Sequence, residues 1–351
     1  MTEPTTTRYA PDGLRAVATT ILQAVGVPLD DAATVANSLI AAERWGHPSH
    51  GVMRLPWYVT RIRAGVVDPS TRSETLVDKG AVSLVDGRDG LGQVLASRAA
   101  VDAADRAGQH GIGLVGIRNS NHFGTAQYYT RMIAERGCVG IVTTNSSASM
   151  APWGGRVKAI GNDPWSIAAP AGRHGYLVTD MANTQVARGK IYNARQRGVP
   201  IPEGWALDED GLPTTDPVRA ALGVLAPMGG HKGYAISMGM EILSGVLTGS
   251  AVAPNVIGPH VPDKRSGAGH MLLAIDIATF ADPPEFARRT ERLIDDMKAV
   301  PLAPGVDEIL FPGELEDRNA ARVDREGVDL APKTIEELTA LAAELGVEID
   351  L

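Results

Sequence analysis

The chain has 351 residues, and at roughly 150 residues per domain that length predicts about two domains. An apolar fraction of 44% beside 21% charged residues is an ordinary globular composition with material for a sizeable core. Forty-one acidic against 33 basic residues give a net charge of −8. That balance speaks against nucleic acid as a partner, because neutralising phosphates needs a basic surplus, and it leaves open a local basic pocket for a small anion.

The single cysteine, Cys138, excludes an intrachain disulfide framework and suits a reducing compartment. Residues 1–7 lack the basic and apolar regions of a signal peptide. The longest apolar-looking stretch, Tyr234 to Ile257, is broken by Glu241, Ser244, Pro254 and Asn255, too interrupted for a spanning helix. A cytoplasmic protein with no membrane partner is expected.

Three helices are expected first. Leu14, Val17, Ile21 and Val25 are spaced for one, which Gly26 and Pro28 stop. A second is capped at Asp30 or Asp31, carries Val35, Leu39 and Ile40, and ends at Gly46. A third begins within Ser49–Pro56, with Pro56 in its first turn, and ends at Gly65. From Ala81 the pattern becomes strand-like: 81–85, 113–117, 139–143, 166–169 and 175–178 are short runs rich in Val and Ile. Helices over 91–107 and 125–137 alternate with them, which indicates an α/β layered core. A helix over 232–248, a strand over 271–277 and a helix from Pro284 with Phe286, Leu293 and Met297 inward come next. Thr334–Glu337 has capping-box spacing for a last helix over Leu338, Leu341 and Leu345.

Gly111-Ile-Gly-Leu-Val-Gly116 matches the dinucleotide fingerprint as a string, but the glycines open a strand where the mechanism needs a strand before them and a helix after. His47 and His50 are spaced as a metal pair, yet no carboxylate or cysteine cluster accompanies them, and no metal is expected. His50 and Arg54, four apart, would share one face of a helical turn. A proton donor beside a guanidinium is what reduction of an oxo-acid needs, the guanidinium gripping the carboxylate and the imidazole serving the oxygen. The competing reading is a surface His and Arg near a helix start. Asn119–Gly124, Asn145–Ser146 and Asp180 are polar groups at strand ends, where α/β proteins place their sites, although each also suits a loop that merely caps the next helix. Gly229-Gly-His-Lys232 opens a helix, where free N–H groups plus Lys232 make a phosphate or carboxylate cradle, the alternative being a flexible turn with a solvated lysine.

The segments Ser49–Pro56, Asn119–Gly124, Thr144–Ser146, Met150–Gly155, Asp180–Ala182, Ala187–Ile191, Pro213–Pro217, Gly229–Gly233 and Pro312–Glu314 together resemble the type 2 malate/L-lactate dehydrogenase family. That family also includes sulfolactate and ureidoglycolate dehydrogenases, diketogulonate reductase and cyclic imino-acid reductases. The resemblance implies NAD or NADP bound without a Rossmann fold, by a mixed α/β domain with a largely antiparallel sheet. It further implies a helical domain built from both termini and a homodimer with the site near the subunit interface. Residues 1–75 with 285–351 would form the helical domain and supply substrate-site residues, and 76–284 the NAD(P)-binding domain. Residue by residue, the resemblance makes His50 and His122 the acid/base candidates. Asp180 becomes a group orienting an imidazole or the carboxamide, and Ser49, Arg54 and Asn121 become substrate contacts. The cofactor would lie against Ser146, Tyr176, Val178, Thr179, Asp180, Met181, Ala182, His231, Lys232, Pro312, Gly313 and Glu314.

Two departures stand out: the family's Gly-Thr-Asn-Pro is here Gly161-Asn-Asp-Pro164, and its Asp-Met-Ala-Thr-Ser is Asp180-Met-Ala-Asn-Thr184. The reaction expected is hydride transfer between NAD(P) and a small 2-hydroxy or 2-oxo acid. The alternatives are a piperideine- or pyrroline-2-carboxylate reductase, or an inactive binding protein on the same scaffold, against which the intact His50, Arg54, His122 and Lys232 argue.

Overall fold

The computed structural model describes residues 8–350, so the N-terminal segment read above for signal-peptide features lies outside the described residues. In chain order the elements are β1 (Arg8–Tyr9), α1 (Pro11–Ala24), α2 (Leu29–Arg44), α3 (Leu55–Arg63), β2 (Glu74–Asp78), β3 (Val82–Asp86), α4 (Gly92–His110), β4 (Ile112–Ser120), α5 (Ala126–Ala134) and β5 (Cys138–Thr144). Then follow β6 (Trp165–Pro170), β7 (Tyr176–Met181), α6 (Arg188–Arg197), β8 (Ala206–Leu207), α7 (Pro217–Leu222), β9 (Val224–Leu225) and α8 (His231–Glu241). The last are β10 (Ala268–Asp276), α9 (Ile277–Phe280), α10 (Pro283–Lys298), α11 (Glu314–Glu326), β11 (Val328–Asp329) and α12 (Pro332–Leu345).

The main sheet has seven strands in the order β2-β3-β4-β10-β5-β6-β7. Only β3 and β4 run parallel, and every other neighbouring pair is antiparallel. The α/β fold with a mixed, largely antiparallel sheet is therefore the observed one. The late strand β10 sits between β4 and β5, so the two strand ends that carry polar motifs are held by one common neighbour. Helices α4 and α5 cover one face through small residues, Ala96, Ala100 and Ala103 against Val115, Ile117 and Leu272. The other face takes the π-helical continuation of α8, Ile242–Val246. A separate core gathers Leu14, Ile21, Leu39 and Leu55 with Val323, Leu338 and Leu341, so both ends of the chain meet in one helical cluster. Among the described residues no helix is long and apolar enough to cross a membrane.

The fingerprint glycines serve packing. Gly111, at φ +81°, ends α4 in a left-handed cap. A Cβ on Gly113 would lie 1.9 Å from the Ala103 carbonyl oxygen, so glycine there is what lets α4 press onto β4.

Several local expectations change. Pro28, with no side-chain cap, precedes α2, and Asp30 and Asp31 lie in its first turn, where they complement the dipole. Thr334 lies inside α12, whose start is set by Pro332 at its first position, so the capping box does not form. In α10 only Ile294 is buried; Leu293 and Met297 are each 52% exposed because the helix lies at the rim, beside the turn before β7. The structure adds β2, α6, α7 and α11.

Gly113→Ala should therefore lower unfolding stability by about 1–3 kcal/mol or more through overpacking. An unchanged denaturant midpoint would show that α4 can shift away from β4 at no cost.

Candidate active site

The turn that carries His50 and Arg54 is built over a buried carboxyl group. Glu43, in the last turn of α2, accepts the Val52 N–H at 2.9 Å. A Cβ on Gly51 would sit 1.9 Å from its Oε1, so the turn can close only on glycine. Burial pushes Glu43 up to about 7. The sequence spacing placed His50 and Arg54 on one helical turn. They occupy two successive 3₁₀ turns, Pro48–His50 and Val52–Arg54, bent at Gly51. What joins them is Arg54 Nε, which donates to the Ser49 carbonyl at 2.5 Å. The guanidinium lies 4.1 Å over the Trp57 ring, and its two Nη groups make no hydrogen bond among the described residues. That leaves a planar fork free for an anion.

Across the cleft, β4 delivers His122. The His50 and His122 rings stack with centroids 5.6 Å apart and planes 19° apart. Ser49 Oγ lies 2.9 Å from His50 Nδ1. Gln93 Nε2 donates to the Tyr58 hydroxyl at 2.8 Å, and that hydroxyl also pairs with His122 Nδ1 at 2.8 Å. His122 Nε2 makes no hydrogen bond among the described residues and is the ring nitrogen left for a ligand. Burial and the neighbouring Arg54 guanidinium hold His50 down at about 3; burial, then His50, then Arg54 hold His122 well below its ordinary value. Asn121 has a different role from the one expected. It is buried, its Nδ2 donates to the Asp89 and Gly90 carbonyls at 2.9 Å, and its Oδ1 accepts from Arg61 at 3.1 Å. Its amide anchors the loop and is not offered to the cleft.

Behind this pair His270 of β10 is fully buried, stacked on Phe123 at 4.5 Å. Its Nε2 meets Ser120 Oγ and its Nδ1 meets Thr144 Oγ1, each at 2.8 Å. Burial lowers it to about 4. Nothing in the sequence marked it, since a lone histidine in an apolar strand reads as core.

The segments assigned to the cofactor fall into two groups. In the first, Ser146 donates its N–H to Asp163 Oδ1 at 2.8 Å and its hydroxyl to Asn162 Oδ1 at 2.8 Å. Asn183, fully buried, donates its N–H to the Asn162 carbonyl and its Nδ2 to the Asp163 carbonyl, and its own carbonyl accepts the Met228 N–H just before the α8 turn. The two departures from the family pattern thus face each other and tie Ser146, the end of β7 and the start of α8 together. That start is uncapped: Gly229 and Gly230 take φ +57° and +66°, no side chain caps the helix, and Lys232 is exposed with no ion pair among the described residues. The exposed Trp153 ring packs edge-on against His231 at 6.1 Å, and a Cβ on Gly230 would meet it at 3.2 Å. Free N–H groups, a lysine and an exposed indole fit a phosphate-bearing dinucleotide.

In the second group, the Val178 N–H donates to the Pro312 carbonyl at 2.9 Å, and Gly313 at φ +96° packs on Val178. Val178 itself points inward, beside Ala134 and Ala168. Tyr176 packs on that same cluster, Thr179 and Ala182 are half-buried, and Met181 is exposed. Glu314 is bound to Lys298 and Arg318, each at 2.6 Å, which leaves it a structural ion-pair partner. Asp180 does not face His50 or His122. Its neighbours are His47, Glu316 and Arg131, and burial, against the pull of His47, raises it to about 6. Among the described residues no group of three or more His, Cys, Asp or Glu side chains is placed to hold a metal.

A family model described as malate/L-lactate dehydrogenase matches residues 9–339. The chain belongs to the malate/L-lactate dehydrogenase family. It is 37% identical over 330 residues to a protein named L-sulfolactate dehydrogenase from Methanocaldococcus jannaschii, covering 94% of this chain and 95% of that one. It is equally identical over 340 residues, 97% and 98% of the two chains, to one named malate/(S)-sulfolactate dehydrogenase from Methanothermus fervidus. The solved M. jannaschii sulfolactate dehydrogenase superposes with a TM-score of 0.93 at 36% identity, covering 98% of each chain. Malate dehydrogenase from Pyrococcus horikoshii gives 0.91 at 32%, over 100% of this chain and 99% of that one. A non-Rossmann cofactor domain in this family agrees with fingerprint glycines that only pack a helix on a strand.

His270 gives this site a measurable acid sensitivity. Its native pKa lies below that of the unfolded chain, so its share of stability is present above pH 6.5 and is lost as pH falls towards 4. Between those limits the loss is about 1.4 kcal/mol per pH unit for one histidine. The melting temperature of His270→Gln should accordingly fall less steeply over that range than the wild type's; parallel slopes would mean that His270 is not held neutral.

Proposed function

We propose that this enzyme transfers a hydride reversibly between NAD or NADP and C2 of a small 2-hydroxy or 2-oxo acid. The observation that carries the reading is Arg54, its fork free and braced by Trp57, beside two stacked neutral histidines. The relatives named for sulfolactate and malate support a 2-hydroxy acid as substrate, and relatives named for NADP and for NAD support either cofactor.

On this reading Arg54 takes the substrate carboxylate bidentately and so orients C2. Its charge also stops repelling a proton at His50 and His122, because the bound carboxylate offsets it. The histidine pKa values then rise from their depressed level towards the range useful for proton transfer. In reduction the protonated His122 ring gives its Nε2 proton to the carbonyl oxygen and keeps the hydrogen on Nδ1, which the Tyr58 hydroxyl accepts; in oxidation that neutral ring takes the proton back at Nε2. His50, hydrogen-bonded to Ser49, packs against that ring and keeps water from its face. The uncapped start of α8 with Lys232 and Trp153 would hold the dinucleotide, with Ser146 and Thr179–Ala182 along its course. When bound, the nicotinamide supplies or accepts the hydride at C4.

The division of labour we assign is a helical unit from both termini (1–75 and 285–351) supplying the substrate contacts, and residues 76–284 supplying the cofactor contacts. The exposed stripe of Met238, Ile242 and Val246 supports a homodimer, and the cytoplasm is the compartment we expect. The direct test follows reduced-nicotinamide absorbance with pyruvate, oxaloacetate and sulfopyruvate, for each cofactor. No turnover with any of them would overturn the substrate class, and a cyclic imine turned over in their place would identify its replacement.

Arg54→Met should lower kcat/KM by about 2–5 kcal/mol, much of it from stranding the substrate carboxylate, while Arg54→Lys keeps some binding and loses orientation. Unchanged kcat/KM with a lowered melting temperature would make Arg54 structural.

His122→Asn should lose about 10²–10⁴ in turnover with cofactor affinity preserved. His50→Asn should lose less. The reverse order would move the proton to His50.

A further inference from the structure

We propose that Asp163 works as a neutral carboxylic acid that positions the Ser146 loop, so that one buried proton sets an alkaline limit on the cofactor side of the cleft. The proposal rests on the reading of Ser146 as a cofactor contact.

Asp163 is fully buried, and its backbone sits at φ +30°, a conformation in which a non-glycine residue is uncommon and Asn and Asp are enriched. Its Oδ1 accepts the Ser146 N–H at 2.8 Å and lies 3.1 Å from the Ser146 hydroxyl. Its Oδ2 is buried and has no hydrogen-bond partner among the described residues. The polar groups that face Asp163 are neutral on three sides: Ser146 beyond β5, Asn162 beside it, and Asn183 beyond β7. The charged group that acts on it is Glu241 at the end of α8, which repels. Neither carboxyl has an ion-pair partner among the described residues.

Two buried carboxyls without a cation cannot both ionise, because neither charge is compensated. Hydrogen bonds decide which one keeps the proton. Glu241 accepts the Ala253 N–H on Oε1 at 2.9 Å and the Asn145 amide on Oε2 at 3.2 Å, so both of its oxygens are stabilised as a carboxylate. Asp163 has donors on Oδ1 alone, and the proton belongs on its Oδ2. Burial, with Glu241 adding to it, holds Asp163 well above its ordinary 3.8. A neutral carboxyl offers one acceptor and one donor, the same pair an asparagine amide offers, which accounts for an aspartate where the family pattern has asparagine. Loss of the proton places an uncompensated charge under Ser146, next to Glu241, and the loop then opens to water.

The test uses the full chain and the conservative variant Asp163→Asn. By infrared difference spectroscopy at neutral pH, D163N should lose a carbonyl band of a protonated carboxylic acid, and Glu241→Gln should keep it. Without cofactor, the wild type's stability should fall as pH rises from the ordinary carboxyl value, since the native state holds a proton that the unfolded chain releases. The melting-temperature advantage of D163N should therefore widen with pH. NADH or NADPH affinity, read by fluorescence, should weaken about tenfold or more into the alkaline range for the wild type and stay flat for D163N. E241Q, which removes the repelling charge, should move that weakening to lower pH. No lost acid band in D163N, or identical pH profiles for D163N and wild type, would overturn the proposal. If the wild type binds neither dinucleotide, the cofactor reading fails, and the infrared and melting comparisons still decide the state of Asp163.

Discussion

The two halves of the cleft are held in register by one imidazole. β10 runs between β4 and β5, and His270 reaches Ser120 at the end of one and Thr144 at the end of the other. One residue beyond Ser120 the chain turns into Asn121 and His122; one residue beyond Thr144 it turns into Asn145 and Ser146. A slip of β10 by one residue would point every alternate side chain to the wrong face. It would also separate His122 from the Ser146 loop. The small residues follow from the same demand: the strand must lie flat, so α4 presents alanines to it, and glycines occupy the points of closest approach.

A second feature is a surplus of buried titratable groups. Glu43, Asp163, Asp180 and Glu241 are pushed up by burial, and His50, His122 and His270 are pushed down. Burial disfavours the charged form of each of these seven, and beside the His50–His122 pair both Nη groups of Arg54 are free. A cleft whose two histidines are neutral and whose Arg54 fork is unshared suits an anion.

Much of this was legible in the sequence. The runs over 113–117, 139–143 and 271–277 fall within β4 and β5 and, but for its last residue, β10, because buried strands show as Val- and Ile-rich blocks. β2 was not legible: all five of its residues are exposed, so no alternation of apolar and polar marks it. α11 was missed for a related reason, since only Ala320 and Val323 of its 13 residues are buried. For the site, residue type and motif located His50, Arg54 and His122, yet not how they meet. The 3₁₀ bend at Gly51 depends on Glu43, eight residues away and buried, and Tyr58, Gln93 and His270 act through contacts that no spacing announces. Asn121 and Glu314 sat inside recognisable motifs, and their side chains turned out to be spent on backbone carbonyls and on Lys298 and Arg318.

The position of the two departures from the family pattern bears on how such a fold changes chemistry. Asp163 and Asn183 are joined by a hydrogen bond of 2.8 Å and lie among the segments proposed to line the cofactor side. His50, Arg54, Tyr58 and His122 form their own network with Gln93, and none of its hydrogen bonds passes through Asp163 or Asn183. What connects the two networks is the strand pairing around β10, a rigid element that transmits position. A substitution pair on the cofactor side can therefore alter the protonation behaviour there while the proton-transfer geometry opposite stays as it was.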